Sequence, residues 1–188
     1  RQLVVLVVRA FVDELKDPQK FLQSVVVKSI IGSIVGIVWQ GQAGATQESI
    51  FPTQGAFFVC LINSTMDTIM INALALPTRR ALILREHRNG YYALPAFFLS
   101  SIAVKCFFMM INSLALSVPI YFLVGLRLNL QAFLTFVAVL SSISWIGVVF
   151  GFAIGSLVNN FQQAQAMVAP SIIPLILFSG YMIPYHQI

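Results

Sequence analysis

Apolar residues along this chain gather into five long blocks, approximately 21–39, 54–76, 95–124, 130–158 and 166–183, separated by short polar connections. A hydrocarbon core about 30 Å thick needs about 20 apolar residues at a rise of about 1.5 Å each, so each block predicts a transmembrane helix. The third and fourth exceed the minimum, which allows them to tilt. Pro119 and Pro174 fall inside blocks and predict kinks. Ahead of the first block, the apolar run Leu3 to Val8 is mixed with Arg1, Arg9, Asp13, Glu14 and Lys16. That stretch is too short to span and predicts an amphipathic helix lying in the interface, ended by Asp17-Pro18. The division is therefore an amphipathic entry segment, 1–20, and a membrane domain, 21–188.

Composition agrees with the pattern. With 59% hydrophobic and 9% charged residues, and 16 Phe, the chain could not cover the surface of a soluble domain of this length. The fold class is all-α integral membrane. The net charge of +5 argues topology and not nucleic acid, because of where the charges fall. Arg1, Arg9, Lys16, Lys20, Arg79, Arg80, Arg85 and Arg88 share one side of the predicted spans, and Arg127 stands opposite. The positive-inside rule makes the N-terminal segment and the 77–94 connection cytoplasmic, with 40–53 and 125–129 facing out. Cys60 and Cys106 lie in apolar runs and read as small hydrophobes. His87 and His186 have no ligand set at metal spacing, so no metal site is expected. No Ser/His/Asp or paired-carboxylate arrangement appears within the spans, which argues against an intramembrane hydrolase. Nor is there a Gly-x-x-x-x-Gly-Lys-Ser/Thr loop, so no ATP hydrolysis is expected from these residues themselves. The start at Arg1, without Met or a signal-peptide pattern, predicts an internal segment of a longer chain.

The cytoplasmic connection carries the densest chemistry, Arg85-Glu86-His87-Arg88-Asn89-Gly90-Tyr91-Tyr92. Pro77 suits a first helical turn and Gly90 a C-terminal stop, predicting a separate short helix over 77–90. A basic anchor for acidic lipid heads accounts for Arg79, Arg80 and Arg88. Glu86 and the tyrosine pair are better explained by a protein partner.

Three ionisable groups fall inside the blocks. Lys28 is close enough to an end to snorkel. Asp67 and Lys105 both lie about 14–15 Å from the shared connection, at 1.5 Å per residue, and predict an ion pair between antiparallel neighbours. Asn63, Ser64, Thr65, Thr68 and Asn72 surround Asp67, suited either to gluing helices or to lining a cavity. A secondary transporter or channel using Asp67 and Lys105 is the alternative function, although no inverted repeat is visible. A non-transporting membrane scaffold is a third.

Four signatures occur in order along the chain: Arg9 and Phe11 followed by Asp17-Pro18; Arg80, Arg85, Glu86, Gly90 and Tyr91; Tyr121-Phe122-Leu123-Val124-Gly125-Leu126; and Leu177-Phe178-Ser179-Gly180. In these the sequence resembles the membrane domain of G-subfamily ABC transporters, the white and pleiotropic-drug-resistance type with the type 2 exporter fold. The resemblance implies a connecting helix and five transmembrane helices, with the sixth and the large extracellular loop before it lying beyond Ile188. It implies that Arg80, Arg85, Glu86, Gly90 and Tyr91 couple the spans to a nucleotide-binding domain, on the same polypeptide or a separate subunit, which would hold ATP and Mg. It implies a second membrane half, identical or not, in a plasma or organelle membrane. Phe58, Ile62, Thr65 and Met66 would face a substrate cavity between the halves, with Ile172, Ile173 and Ile176 opposite and Tyr181 and Met182 as an apolar plug. Such walls suit a lipid, sterol or amphipathic small molecule. The chain departs from the family at Arg79, where an acidic residue is usual, and at Val104-Lys105-Cys106-Phe107, where an acidic residue and proline are usual.

Overall fold

A computed structural model describes residues 2–42, 44, 50–126 and 129–177. They form six helices: α1 Gln2–Leu15, α2 Pro18–Val38, α3 Ile50–Arg88, α4 Leu94–Val124, α5 Leu130–Leu157 and α6 Phe161–Leu177. α2 to α5 are long and apolar enough to cross a membrane. The bounds of α2, α4 and α5 follow the apolar blocks closely. α6 starts five residues before the predicted block, and the predicted end of that block lies outside the described residues.

The second block is where the expectation fails. No separate helix starts at Pro77; α3 runs unbroken through it to Arg88. A proline inside a helix lacks the N–H that would bond the carbonyl four residues back, which here is that of Ala73. Gly155 of α5 presses against that carbonyl, so closely that a Cβ there would lie 2.8 Å from the oxygen. Pro119 poses the same problem in α4, where it frees the carbonyl of Ala115; the Ser29 hydroxyl of α2 lies 3.4 Å from that oxygen while donating to the Val25 carbonyl of its own helix at 3.0 Å. The carbonyls that these two prolines free are thus each covered by a neighbouring helix.

Glycines decide which helices touch. Gly147, Gly151 and Gly155 lie at four-residue spacing on α5 and meet the backbone or Cβ atoms of Thr65, Thr68, Ile69, Asn72, Ala73 and Leu76 on α3. Gly32 and Gly36 on α2 meet Leu116, Pro119 and Leu123 on α4 in the same way. Small residues four apart let two backbones approach closely, which is how helices associate where lipid gives no hydrophobic drive. The bundle is therefore built from two close pairs, α2 with α4 and α3 with α5. α4 joins α5 through the Ser113–Ser144 hydroxyl pair at 3.0 Å and the Trp145 indole N–H donating to the Cys106 carbonyl at 3.0 Å.

α1 lies against α4, with the Phe11 ring 5.9 Å from Phe107 and 5.4 Å from Phe108. Its opposite face, including Val4, Val5 and Val8, is exposed apolar surface, as an interfacial helix requires. α6 packs on α3 and α5 in a core of Ile69, Ala73, Ile154, Val168 and Ile172.

Candidate functional site

The end of α3 closes as a Schellman turn. Gly90, at φ +76°, takes the left-handed conformation that glycine adopts without steric cost. The Tyr91 N–H donates to the Glu86 carbonyl at 3.2 Å and the Gly90 N–H to that of His87 at 3.0 Å. This turn swings Tyr92 back over the helix end. Its phenol donates to Glu86 Oε2 at 2.9 Å, its carbonyl meets His87 Nδ1 at 3.0 Å, and its ring stacks on Phe97 at 5.3 Å. Glu86 Oε1 accepts from Arg9 Nη2 of α1 at 2.8 Å. Both carboxylate oxygens are thus occupied within the chain.

The hydrogen bond from Arg9, with that of Tyr92 and the Arg9 charge, holds the Glu86 carboxyl below its ordinary range. Burial, then the bond to Glu86, pushes the Tyr92 phenol up to about 12. The result is a clasp: a charged pair and a neutral phenol fasten α1 to the end of α3. Arg80 is engaged too. Its Nη1 donates to the Val158 carbonyl at 2.9 Å and to Asn159 Oδ1, a cation placed at the negative end of α5. Arg85, Arg88 and Tyr91 remain exposed at this end of the bundle.

Deeper in, Asp67 and Lys105 do not meet, and the predicted pair is corrected. α5 wedges its glycine face against α3 and also packs on α4, so sequence neighbours are not neighbours in the bundle. Asp67 Oδ2 lies 3.0 Å from Lys28 Nζ of α2, and Lys28 also donates to Asn63 Oδ1 at 3.1 Å. Lys28 does not snorkel; its side chain is 8% exposed against 44% for Asp67. Lys105 instead reaches both oxygens of Glu14 on α1, each at 2.8 Å.

Residues 1–188 match the ABC-2 type transporter family over their whole length. The chain belongs to that family. Protein white of Ceratitis capitata is 26% identical over 176 residues, covering 93% of this chain and 26% of that protein. ABC transporter G family member 8 of Arabidopsis thaliana is 31% identical over 162 residues, covering 86% of this chain and 26% of that protein. The broad substrate specificity ATP-binding cassette transporter ABCG2 of Rattus norvegicus is 22% identical over 181 residues, covering 96% and 27% respectively. The chain is an ABC-2 membrane domain of the G subfamily, and it spans about a quarter of the length of these relatives.

Within this ABC-2 domain the expected cavity residues divide. On α3, Phe58, Ile62 and Thr65 are half-buried, and Met66 is 42% exposed. On α6, Ile173 is 56% exposed, whereas Ile172, 3% exposed, points into the core against α3, and Ile176 packs on the same cluster. Ile172 is thus a packing residue, because α6 rotates its 168–172 stripe onto α3. Tyr181 and Met182, and most of the Leu177-Phe178-Ser179-Gly180 signature, lie outside the described residues. Reading the sequence missed Tyr92 and Arg9 as partners of Glu86, and it missed Glu14. The glycine spacing at 32 and 36, and at 147, 151 and 155, was the available signal for the helix pairing.

Proposed function

We propose that this ABC-2 domain is the membrane part of an ATP-driven exporter that moves a lipid, sterol or amphipathic small molecule. Its end carrying Arg85, Arg88 and Tyr91 faces the cytoplasm, in keeping with the basic residues gathered there, and docks on a nucleotide-binding domain that holds ATP and Mg. A second membrane half completes the path. The observation that carries this reading is the continuity of α3, one 39-residue helix from Ile50 to Arg88. It joins the level of Met66 and Asp67 to the clasp at Glu86 without a joint at Pro77. A push on Arg85, Arg88 or Tyr91 is thereby delivered to the half-exposed face of the same helix. Arg80 and Glu86 act in this scheme as inner anchors that keep the rod registered to α5 and α1, and Gly90 lets the chain turn back. The exposed Met66 and Ile173 and the half-buried Phe58, Ile62 and Thr65 offer apolar walls to a greasy substrate.

The test is Glu86→Ala in the full-length polypeptide, reconstituted in liposomes with a fluorescent amphiphile. The variant is expected to insert and to hydrolyse ATP while losing transport. Normal transport by this variant would refute the coupling role, and Arg9→Ala, which breaks the same clasp from α1, must behave alike.

A further inference from the structure

A cavity of about 710 Å³ lies between α1, the last turns of α3 and the first turns of α4, away from the face of α3 assigned to transport. Its volume falls within the range of small-molecule sites, about 300–1,000 Å³. Its floor is apolar, formed by Leu6 and Ala10 of α1, Leu76 and Ile83 of α3, Val104 of α4 and Phe152 of α5.

The rim is charged, and its charges can be accounted for one by one. Arg9 pairs with Glu86, Lys16 with Asp13 and Lys105 with Glu14, each at 2.8 Å, and Asp17 pairs with Lys20 at 2.6 Å. One lining cation is left over. Arg79 is exposed and, among the described residues, has no acidic group within ion-pair distance. The nearby hydroxyl of Thr78 donates to the Ala75 carbonyl and that of Ser100 to the Phe97 carbonyl, so both protons are already spent within their own helices. The cavity therefore combines an apolar floor with one guanidinium at its rim that has no ion-pair partner, its charge felt by Asp13, which Lys16 already holds. A neutral ligand would leave that guanidinium unused, and a cationic one would be repelled by it.

We propose that this cavity binds an anionic amphiphile with one acyl chain, its carboxylate or phosphate head on Arg79 and its chain along the floor. A guanidinium is well matched to either head group, because its planar fork donates two parallel hydrogen bonds. A chain lying between α1 and α3 touches the helices that the Arg9–Glu86 clasp joins, so occupancy braces the clasp. The site stands on charge and shape and does not depend on the exporter reading.

Binding is measured with the full-length polypeptide in a non-ionic detergent, using cis-parinarate fluorescence and displacement by oleate, oleoyl lysophosphatidate, oleyl alcohol or inorganic phosphate. Saturable cis-parinarate binding is expected, with displacement by both oleoyl anions at least about tenfold tighter than by the alcohol, as the loss of one charge-assisted contact implies. Which oleoyl anion displaces better identifies the head group. Arg79→Gln, at an exposed and unpaired position, should fold normally and bring both anions down to the level of the alcohol. Arg88→Gln, a surface arginine that does not line the cavity, should leave the preference for the anion over the alcohol unchanged, whatever it does to coupling. The proposal is overturned if binding does not saturate, or if Arg79→Gln leaves the preference for the anion intact. It is equally overturned if Arg88→Gln weakens binding as much, or if inorganic phosphate alone displaces the probe.

Discussion

Replacing Gly151 by alanine tests the pairing of α3 with α5, from which the rest of the bundle follows. Alanine is favoured over glycine in a helix interior by about 1 kcal/mol, so an open site would gain stability. Gly151 is not open. A Cβ there would lie 2.8 Å from the Ile69 carbonyl oxygen, 2.9 Å from Asn72 Cβ and 3.2 Å from the Ala73 nitrogen. Two of those atoms are backbone and cannot turn aside, while ordinary contact begins near 3.5 Å. α3 must therefore retreat by about 0.7 Å, which forfeits about a quarter to a half of the dispersion energy along the seam. Overpacking by a methyl group costs about 1–3 kcal/mol, leaving a net destabilisation of about 0–2 kcal/mol once the propensity gain is set against it. At about 2–4 °C per kcal/mol for a domain of this size, melting should fall by up to about 8 °C.

The assay is size-exclusion of a heated fluorescent fusion of the full-length polypeptide in detergent. Gly147→Ala should fall less, because its Cβ would press mainly on the Thr68 side chain at 3.2–3.3 Å, which can shift. Ala153→Leu, on the exposed side of α5, should leave melting unchanged. Melting of Gly151→Ala above wild type, the gain expected of an open site, would refute the close seam, as would an equal loss in Ala153→Leu.

Two further outcomes follow from the charges. In double-mutant cycles of thermal stability, Lys28→Met with Asp67→Asn should show coupling of about 1 kcal/mol, discounted from a buried pair because Asp67 is half open, whereas Asp67→Asn with Lys105→Met should be additive within about 0.5 kcal/mol; the reverse ranking would restore the pair the structure rejects. The clasp should depend on acid. The Glu86 carboxyl is held below its ordinary value, so its contribution is fully present above the unfolded value near about 4.3 and is lost as pH falls through the lower folded value. Spin labels at the exposed positions Val8 and Leu84 should therefore separate only in that acid window, and Glu86→Gln should abolish the transition; separation beginning near neutral pH would contradict it.

The spans were legible because hydrocarbon thickness imposes a length on the sequence that no tertiary contact revises. α2, α4 and α5 fall almost where their apolar blocks do. Gly90 was legible for a local reason as well, since a left-handed C-cap is written in one residue. What failed was whatever depended on a neighbour. Pro77 looked like a helix start because nothing in its own surroundings announces that Gly155, seventy-eight positions later, would pack against the carbonyl it frees.

The charged residues repeat that lesson with more consequence. Depth along a helix is additive in residues, which is why Asp67 and Lys105 were expected at one level, but azimuth is decided by which helix lies alongside. The glycines of α5 place it against α3, which turns Asp67 toward Lys28 and leaves Lys105 to Glu14. One redistribution thereby creates two ion pairs. Lys28 and Asp67 become a pair within the membrane that is open on the acidic side, and Lys105 becomes a tether for α1. Because that tether and the Arg9–Glu86 clasp hold α1 at two points, the space beneath it is kept as a cavity, with Arg79 as its cation without an ion-pair partner. The small residues that lipid demands for helix association thus decide, two steps removed, that Lys28 pairs with Asp67 and Lys105 with Glu14.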